Sequence, residues 1–437
     1  MRLAALVLLA ASAAVASERV ARPDAAADRV QGVDVRMGGI GHTRANAIRR
    51  LMTTQPGSEL DLPTLQHDLA RLRSTGIFYD VAERTVPGPD GKRVELSLKD
   101  RWTLLPVIGV RRGGGRTTSR VGLSDHNAFG QLFSVYGEVS SNADIPFVPQ
   151  KPDDRFGSLV YVRVPRAFGT RITPMVQWSR DFLDFSSFGS APHLYDRSRR
   201  EVRVEARYEL TDLVSLTSGI AFQRDQYAPS SLSQSPGLLP QSGNTTWLSA
   251  GIQLGMVQES LSMSEGTQLD LTLSRAQAGV LGSDSSVSAA AATLRSFTIL
   301  GAGTDIGGQL TARATTGTSD AFLFRAGGLR EIRGFPDSYF QGRQLVNGNV
   351  ELRRDVLRTG LFVDAIGQAA AFVDFGWVGQ RANAVAGIPY TGPVASAGLG
   401  LRWIPIPFAR AVGRIDVAMG LYPERRFDIS LGGQQFF

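Results

Sequence analysis

Beyond Trp102 the chain alternates apolar and polar residues with a period of two, segment after segment. Val202, Val204, Ala206 and Tyr208 are interleaved with Glu201, Arg203, Glu205 and Arg207. Ala395, Ala397, Leu399, Leu401 and Trp403 are interleaved with Ser396, Gly398, Gly400 and Arg402. Ile415, Val417 and Met419 are interleaved with Arg414, Asp416 and Ala418. Consecutive side chains of a strand point to opposite faces, so each segment predicts a strand with one apolar face. Sixteen such strands are predicted, over 103–112, 116–125, 131–141, 156–165, 170–181, 198–208, 213–224, 245–257, 267–275, 287–300, 303–316, 344–353, 361–378, 393–404, 410–421 and 426–437. The ninth and tenth run through a Ser- and Ala-rich stretch and alternate least clearly.

A soluble sandwich buries the apolar face of such strands, whereas a transmembrane barrel turns it to lipid and keeps the polar face for its lumen. Segments of about 9–12 residues favour the barrel, since soluble strands usually have about 5–6. An even strand number lets both ends of a barrel lie on one side. Long connections (142–155, 182–197, 225–243, 276–286, 317–343) alternate in most places with short ones such as Glu209-Leu210-Thr211-Asp212. The last strand carries Phe427, Ile429 and Leu431 at alternate positions and ends on Phe437.

The first 100 residues have another texture. Arg2, an apolar run from Leu3 to Val15 and the small-residue exit Ala14-Val15-Ala16 read as a secretory signal peptide over 1–16. That run is too short to cross a bilayer, which takes about 20 residues, and no later segment reaches that length. Residues 29–100 then order as strand, helix, helix, strand, strand. The first strand is 29–36. Thr43 is placed to cap a helix over 44–52, and Leu62, Leu65, Leu69 and Leu72 share one face of a second helix that ends at Gly76. Strands follow at 77–81 and 93–98, joined by Pro87-Gly88-Pro89-Asp90-Gly91. The expected layout is thus a signal (1–16), a small α+β domain (29–100) and a barrel (101–437).

Composition narrows the chemistry. Mean hydropathy is −0.06 with 43% hydrophobic residues, the average a barrel gives when every apolar position alternates with a polar one. There is no Cys, which excludes disulfides, thiolate metal sites and Cys nucleophiles. Four His and no HExxH leave little for zinc. With no GxSxG, P-loop, GxGxxG or EF-hand loop, neither an enzyme nor a cofactor or metal is expected. The charge of +7 is mostly Arg, on strand positions beside apolar partners. That suits a lumen lining and not a nucleic-acid patch.

The longest connection contains Leu329-Arg330-Glu331-Ile332-Arg333-Gly334-Phe335, and some 40 residues later comes Phe372-Val373-Asp374-Phe375-Gly376. Parity puts Phe372, Asp374 and Gly376 on one face and Val373, Phe375 and Trp377 on the other, which suits lipid. Asp374 then faces the lumen and needs a partner. Arg333 can supply a bidentate pair, and Phe372 can offer its ring to the same guanidinium.

These residues resemble the BamA/TamA superfamily of bacterial outer-membrane proteins, the surface-antigen family. Its signature is a (Val/Ile)-Arg-Gly-(Phe/Tyr) tip on the sixth extracellular loop, here Ile332 to Phe335. That tip docks on Phe-x-Asp-x-Gly in the barrel wall, here Phe372, Asp374 and Gly376. The run Ser74-Thr75-Gly76-Ile77-Phe78-Tyr79-Asp80-Val81 is similar to a POTRA domain, and Lys99 to Val107 and 398–403 also resemble the family. The resemblance implies a transmembrane β-barrel of about 16 antiparallel strands in the outer membrane with one small α+β POTRA domain in the periplasm. It implies assistance to insertion or translocation of other polypeptides, without chemical catalysis. Partners would be unfolded outer-membrane or secreted clients, outer-membrane lipid and periplasmic or lipoprotein factors, and no nucleic acid. Phe427, Ile429, Leu431 and Phe437 would serve sorting and closure. The chain departs from the family in having space for one POTRA, in a stretch 17–28 too short for the plug helix of secretion porters, and in Gly433 and Gln435 at usually apolar positions. Alternatives are a two-partner-type secretion porter for a dedicated client and a passive porin or structural barrel.

Overall fold

A computed structural model describes residues 29–113, 116–141, 156–184, 195–229, 241–328, 331–335, 339–360, 363–379 and 390–433. The predicted signal segment 1–16 and Phe437 lie outside the described residues.

The N-terminal unit consists of β1 (Val30–Gly39), α1 (Ala45–Leu51), α2 (Leu62–Ser74), β2 (Phe78–Gly88) and β3 (Gly91–Asp100). The sheet order is β1-β3-β2, with β1 parallel and β2 antiparallel to β3. Both helices turn their apolar stripe onto this sheet. Ile48, Leu51, Leu65, Leu69 and Leu72 are buried with Val94, Leu96 and Leu98. The Asp61 carboxylate caps α2 by accepting from the Thr64 amide at 3.1 Å, with Pro63 in the first turn. Thr43 is not a helix cap: Arg44 occupies that position and makes no side-chain cap. The Thr43 hydroxyl instead accepts from Asn127 Nδ2 of the barrel at 2.8 Å.

The second unit is a sheet of sixteen strands in which every neighbouring pair is antiparallel. It starts with β4 (Leu104–Gly113), β5 (Arg116–Ala128), β6 (Phe133–Ser141), β7 (Phe156–Arg163), β8 (Ile172–Asp184) and β9 (Tyr195–Glu209). It continues through β10 (Val214–Pro229), β11 (Gly243–Ser260), β12 (Met263–Ala276), β13 (Val287–Gly301) and β14 (Thr304–Thr315). The long connection after β14 holds a small hairpin of β15 (Phe324–Ala326) and β16 (Phe340–Gly342). The sheet resumes with β17 (Gln344–Thr359), β18 (Ala365–Gly379), β19 (Gly392–Pro405), β20 (Gly413–Tyr422) and β21 (Arg426–Gly433). This is the transmembrane barrel of sixteen antiparallel strands. Its apolar residues, such as Leu399, Leu401, Trp403, Ile415 and Val417, are exposed on the outer wall, while Arg402, Arg414 and Asp416 are buried inside. No described helix is long and apolar enough to cross a membrane. The first and last strands, β4 and β21, lie side by side, and among the described residues no backbone ladder joins them.

The N-terminal unit docks on the barrel end that carries the short turns. Arg166, buried in the β7–β8 turn, donates to Leu51 O at 2.7 Å and to Glu209 at 2.8 Å. Arg71 of α2 donates to Asp212 of the β9–β10 turn at 2.5 Å. Arg50 reaches Gln131 of the β5–β6 turn at 3.1 Å, and burial lowers its guanidinium pKa. Arg410 of the β19–β20 turn caps the end of α2 through Thr75 O at 3.0 Å. Trp102 then leads into β4 through backbone bonds with Pro407 and Ala409. The unit therefore spans the mouth from several sides and does not hang from one linker.

Candidate functional site

The polar core of the barrel is assembled where the β14–β17 connection folds back into the lumen. Asp374 sits at an inward position of β18 and Glu351 at an inward position of β17. The loop brings Arg333 between them. Its backbone amide and Nε donate to Asp374 Oδ2, each at 2.8 Å, and Nη2 donates to Oδ1 at 2.6 Å. Nη1 donates to Glu351 Oε2 at 2.8 Å. The guanidinium carbon lies 3.2 Å from the centre of the Phe372 ring. Arg333 and Asp374 are both 0% exposed.

The charge does not stop there. Arg402 of β19 donates to both Glu351 oxygens at 3.2 Å and to Asp416 Oδ1 at 2.5 Å. Arg414 of β20 also donates to Asp416. Arg402 and Arg414 face each other across the β19–β20 ladder, a repulsive arrangement that the shared Asp416 offsets. Three guanidinium groups thus meet three carboxylates in a buried, neutral cluster. Such clusters persist only when charges are paired and their lone pairs and protons are satisfied.

Glycine makes room for each piece. Gly334 has φ +85°, and a Cβ there would come within 2.7 Å of Gly420 N. Gly376 leaves space for the Ile332 side chain, Gly398 for the Phe372 ring and Gly420 for the Phe335 ring. Phe335 is fully buried and packs on Phe340 and Tyr339, with ring centres 4.9 and 5.6 Å away. The Tyr339 hydroxyl donates to Glu424 at 2.5 Å, in the turn before β21. Burial, followed by that carboxylate, raises the Tyr339 pKa. Gly334→Ala is expected to cost about 1–3 kcal/mol through positive-φ strain and the clash at Gly420. A lower temperature for loss of the folded band on an unheated gel is the readout.

Phe427, Ile429 and Leu431 project outward from β21. Glu351, Arg402, Arg414 and Asp416 were not singled out by sequence reasoning. Their only signal in the sequence is a charged residue at an inward strand position. Among the described residues no group of three or more His, Cys, Asp or Glu is placed to hold a metal ion.

A sixteen-strand barrel with a loop tip latched to its inner wall defines an outer-membrane β-barrel of the BamA-like class. A profile of the Omp85 superfamily domain matches residues 164–435, and the chain belongs to that superfamily. Among solved structures it is similar to CdiB from Escherichia coli, with a TM-score of 0.67 at 16% identity over 92% of this chain and 76% of that one. CdiB from Acinetobacter baumannii gives a TM-score of 0.60 at 14% identity, over 93% and 73%. BamA from Haemophilus ducreyi lacking POTRA domains 1–3 gives 0.53 at 16%, over 92% and 84%. At these identities the likeness is one of fold. No curated protein sequence matches the chain.

Proposed function

We propose that this protein inserts or translocates other polypeptides at the outer membrane, with residues 29–100 acting as a periplasmic POTRA domain behind a signal peptide over 1–16. The observation that carries this reading is the seam. A barrel that keeps every other strand pair laddered leaves β4 and β21 unladdered among the described residues. Gly432 and Gly433 weaken the pairing capacity of β21 further. An unpaired strand edge recruits another strand, so the seam offers a client strand its backbone partners. The latch at Arg333 holds the β21 side of the seam rigid, since it ties the loop to β17 and β18 and, through Asp416, to β20.

A secretion porter for a dedicated client is the second reading. One experiment addresses both. The chain has no Cys, so one cysteine placed in β4 and one in β21 form a unique pair. Oxidation is expected to abolish activity, and reduction to restore it. Loss of many barrels from the outer-membrane proteome marks an insertase, whereas loss of one secreted protein marks a porter. A cross-linked protein with full activity overturns the lateral-seam mechanism.

A further inference from the structure

On the outer wall, at the end remote from the N-terminal unit, three arginines stand in one row. Arg180 of β8 pairs across the ladder with Arg200 of β9, and Arg200 pairs with Arg224 of β10. All three side chains are exposed and share the outward parity of Trp178, Val202 and Phe222, which form the next outward row toward the membrane belt. Like charges directly opposite one another destabilise a sheet. Two inward-facing arginines of β9 meet acids: Arg199 pairs with Asp225 at 2.8 Å, and Arg203 with Glu201 at 3.0 Å. Among the described residues no carboxylate lies within ion-pair distance of Arg200 or Arg224.

The row borders a groove. Trp178, Val202 and Phe222 form its apolar floor, Arg200 and Arg224 its upper rim. The β12–β13 connection folds over the outer wall and supplies a side through Leu281 and Gly282. That connection is held by Thr246 Oγ1 donating to Leu281 O at 2.8 Å and by Asn244 N donating to Asp284 Oδ2 at 2.6 Å. A cationic rim above an aromatic and aliphatic floor, at the edge of the lipid-facing belt, matches an amphiphile with an anionic head.

We propose that this groove binds a lipid bearing a phosphate monoester, with the phosphate on the Arg180–Arg200–Arg224 row and an acyl chain along Trp178, Val202 and Phe222. A monoester carries about −1.5 to −2 charges at neutral pH and three acceptor oxygens, so it neutralises adjacent guanidinium groups better than a singly charged phosphodiester. The leaflet is the one facing away from the N-terminal unit. The site is independent of the client-handling reading, because it can be measured without any client.

The test is native mass spectrometry of the full chain in detergent micelles with diphosphoryl lipid A. The expected result is retained lipid at wild-type Arg200 and Arg224, and affinity reduced about tenfold for each arginine replaced in R200Q and R224Q, the scale of one charge-assisted hydrogen bond. The doubly substituted R200K/R224K protein, which keeps the charge, retains most of the lipid. Dephosphorylated lipid A and phosphatidylglycerol bind weakly, and millimolar inorganic phosphate does not displace the lipid. Equal retention by the R200Q/R224Q double variant, in protein that still runs as a folded band, overturns the proposal. So does preference for phosphatidylglycerol, or displacement by inorganic phosphate, which would make this an aqueous anion site.

Discussion

Replacing Arg333 with Ala is expected to lower barrel stability by about 3–5 kcal/mol, the scale of breaking a buried ion pair by removing one partner. The substitution strips Asp374 of two side-chain donors at once and leaves Glu351 with Arg402 alone. Only the backbone amide of residue 333 remains to Asp374, and only if the loop stays docked. Arg333→Lys keeps the charge but cannot reproduce the two-point contact with Asp374 or the planar stack on Phe372, so it falls between wild type and Ala. The temperature at which the folded band disappears on an unheated gel orders the three proteins. Unchanged migration in R333A would show that the latch contributes nothing to barrel stability.

Deleting residues 29–100 is expected to leave a folded barrel with an open mouth. The latch lies wholly within the barrel, so heat-modifiability should survive. Docking across several turns should be lost, and single-channel conductance in a planar bilayer should rise from a low, fluctuating level to a steady open one. Support for clients should fall to background. A truncated barrel that conducts like the full chain would show that the N-terminal unit does not obstruct the lumen. One that keeps its activity would remove the client-capture role. Asp212→Arg provides a milder version, because it places a third cation beside Arg71 and Arg166 while keeping the domain.

Much of this architecture was legible in the alternation of residue types. A period of two survives in a barrel wall because one face meets lipid and the other meets the lumen, and all sixteen strands overlap the segments drawn from it. The ends were less legible. Leu361-Phe362-Val363 imitates a strand, so β18 was expected from 361, whereas it starts at Ala365 and β17 extends instead to Thr359. β2 runs to Gly88 through Pro87, which an edge strand tolerates, although Pro-Gly read as a turn. Parity gave Asp374 its face and its need for a cation. It could not give Glu351, Arg402 and Asp416 as neighbours, because which rungs align depends on register across four strands. The docking residues Arg166, Asp212 and Arg410 lie in turns, where no periodicity marks them.

Gly376, Gly398 and Gly420 occupy three successive strands, and each is the hollow into which one group of the latch fits. Moving any of these strands by a single residue would turn Phe375 or Trp377, Leu399, or Met419 or Leu421 into the lumen in place of a glycine. The hollows then vanish and the loop has nowhere to seat. Seating is therefore a gauge of alignment: the loop can enter only after the last third of the wall has zipped in the correct frame. The same contacts that stabilise the finished barrel thus fix the order of its assembly, wall first and latch last.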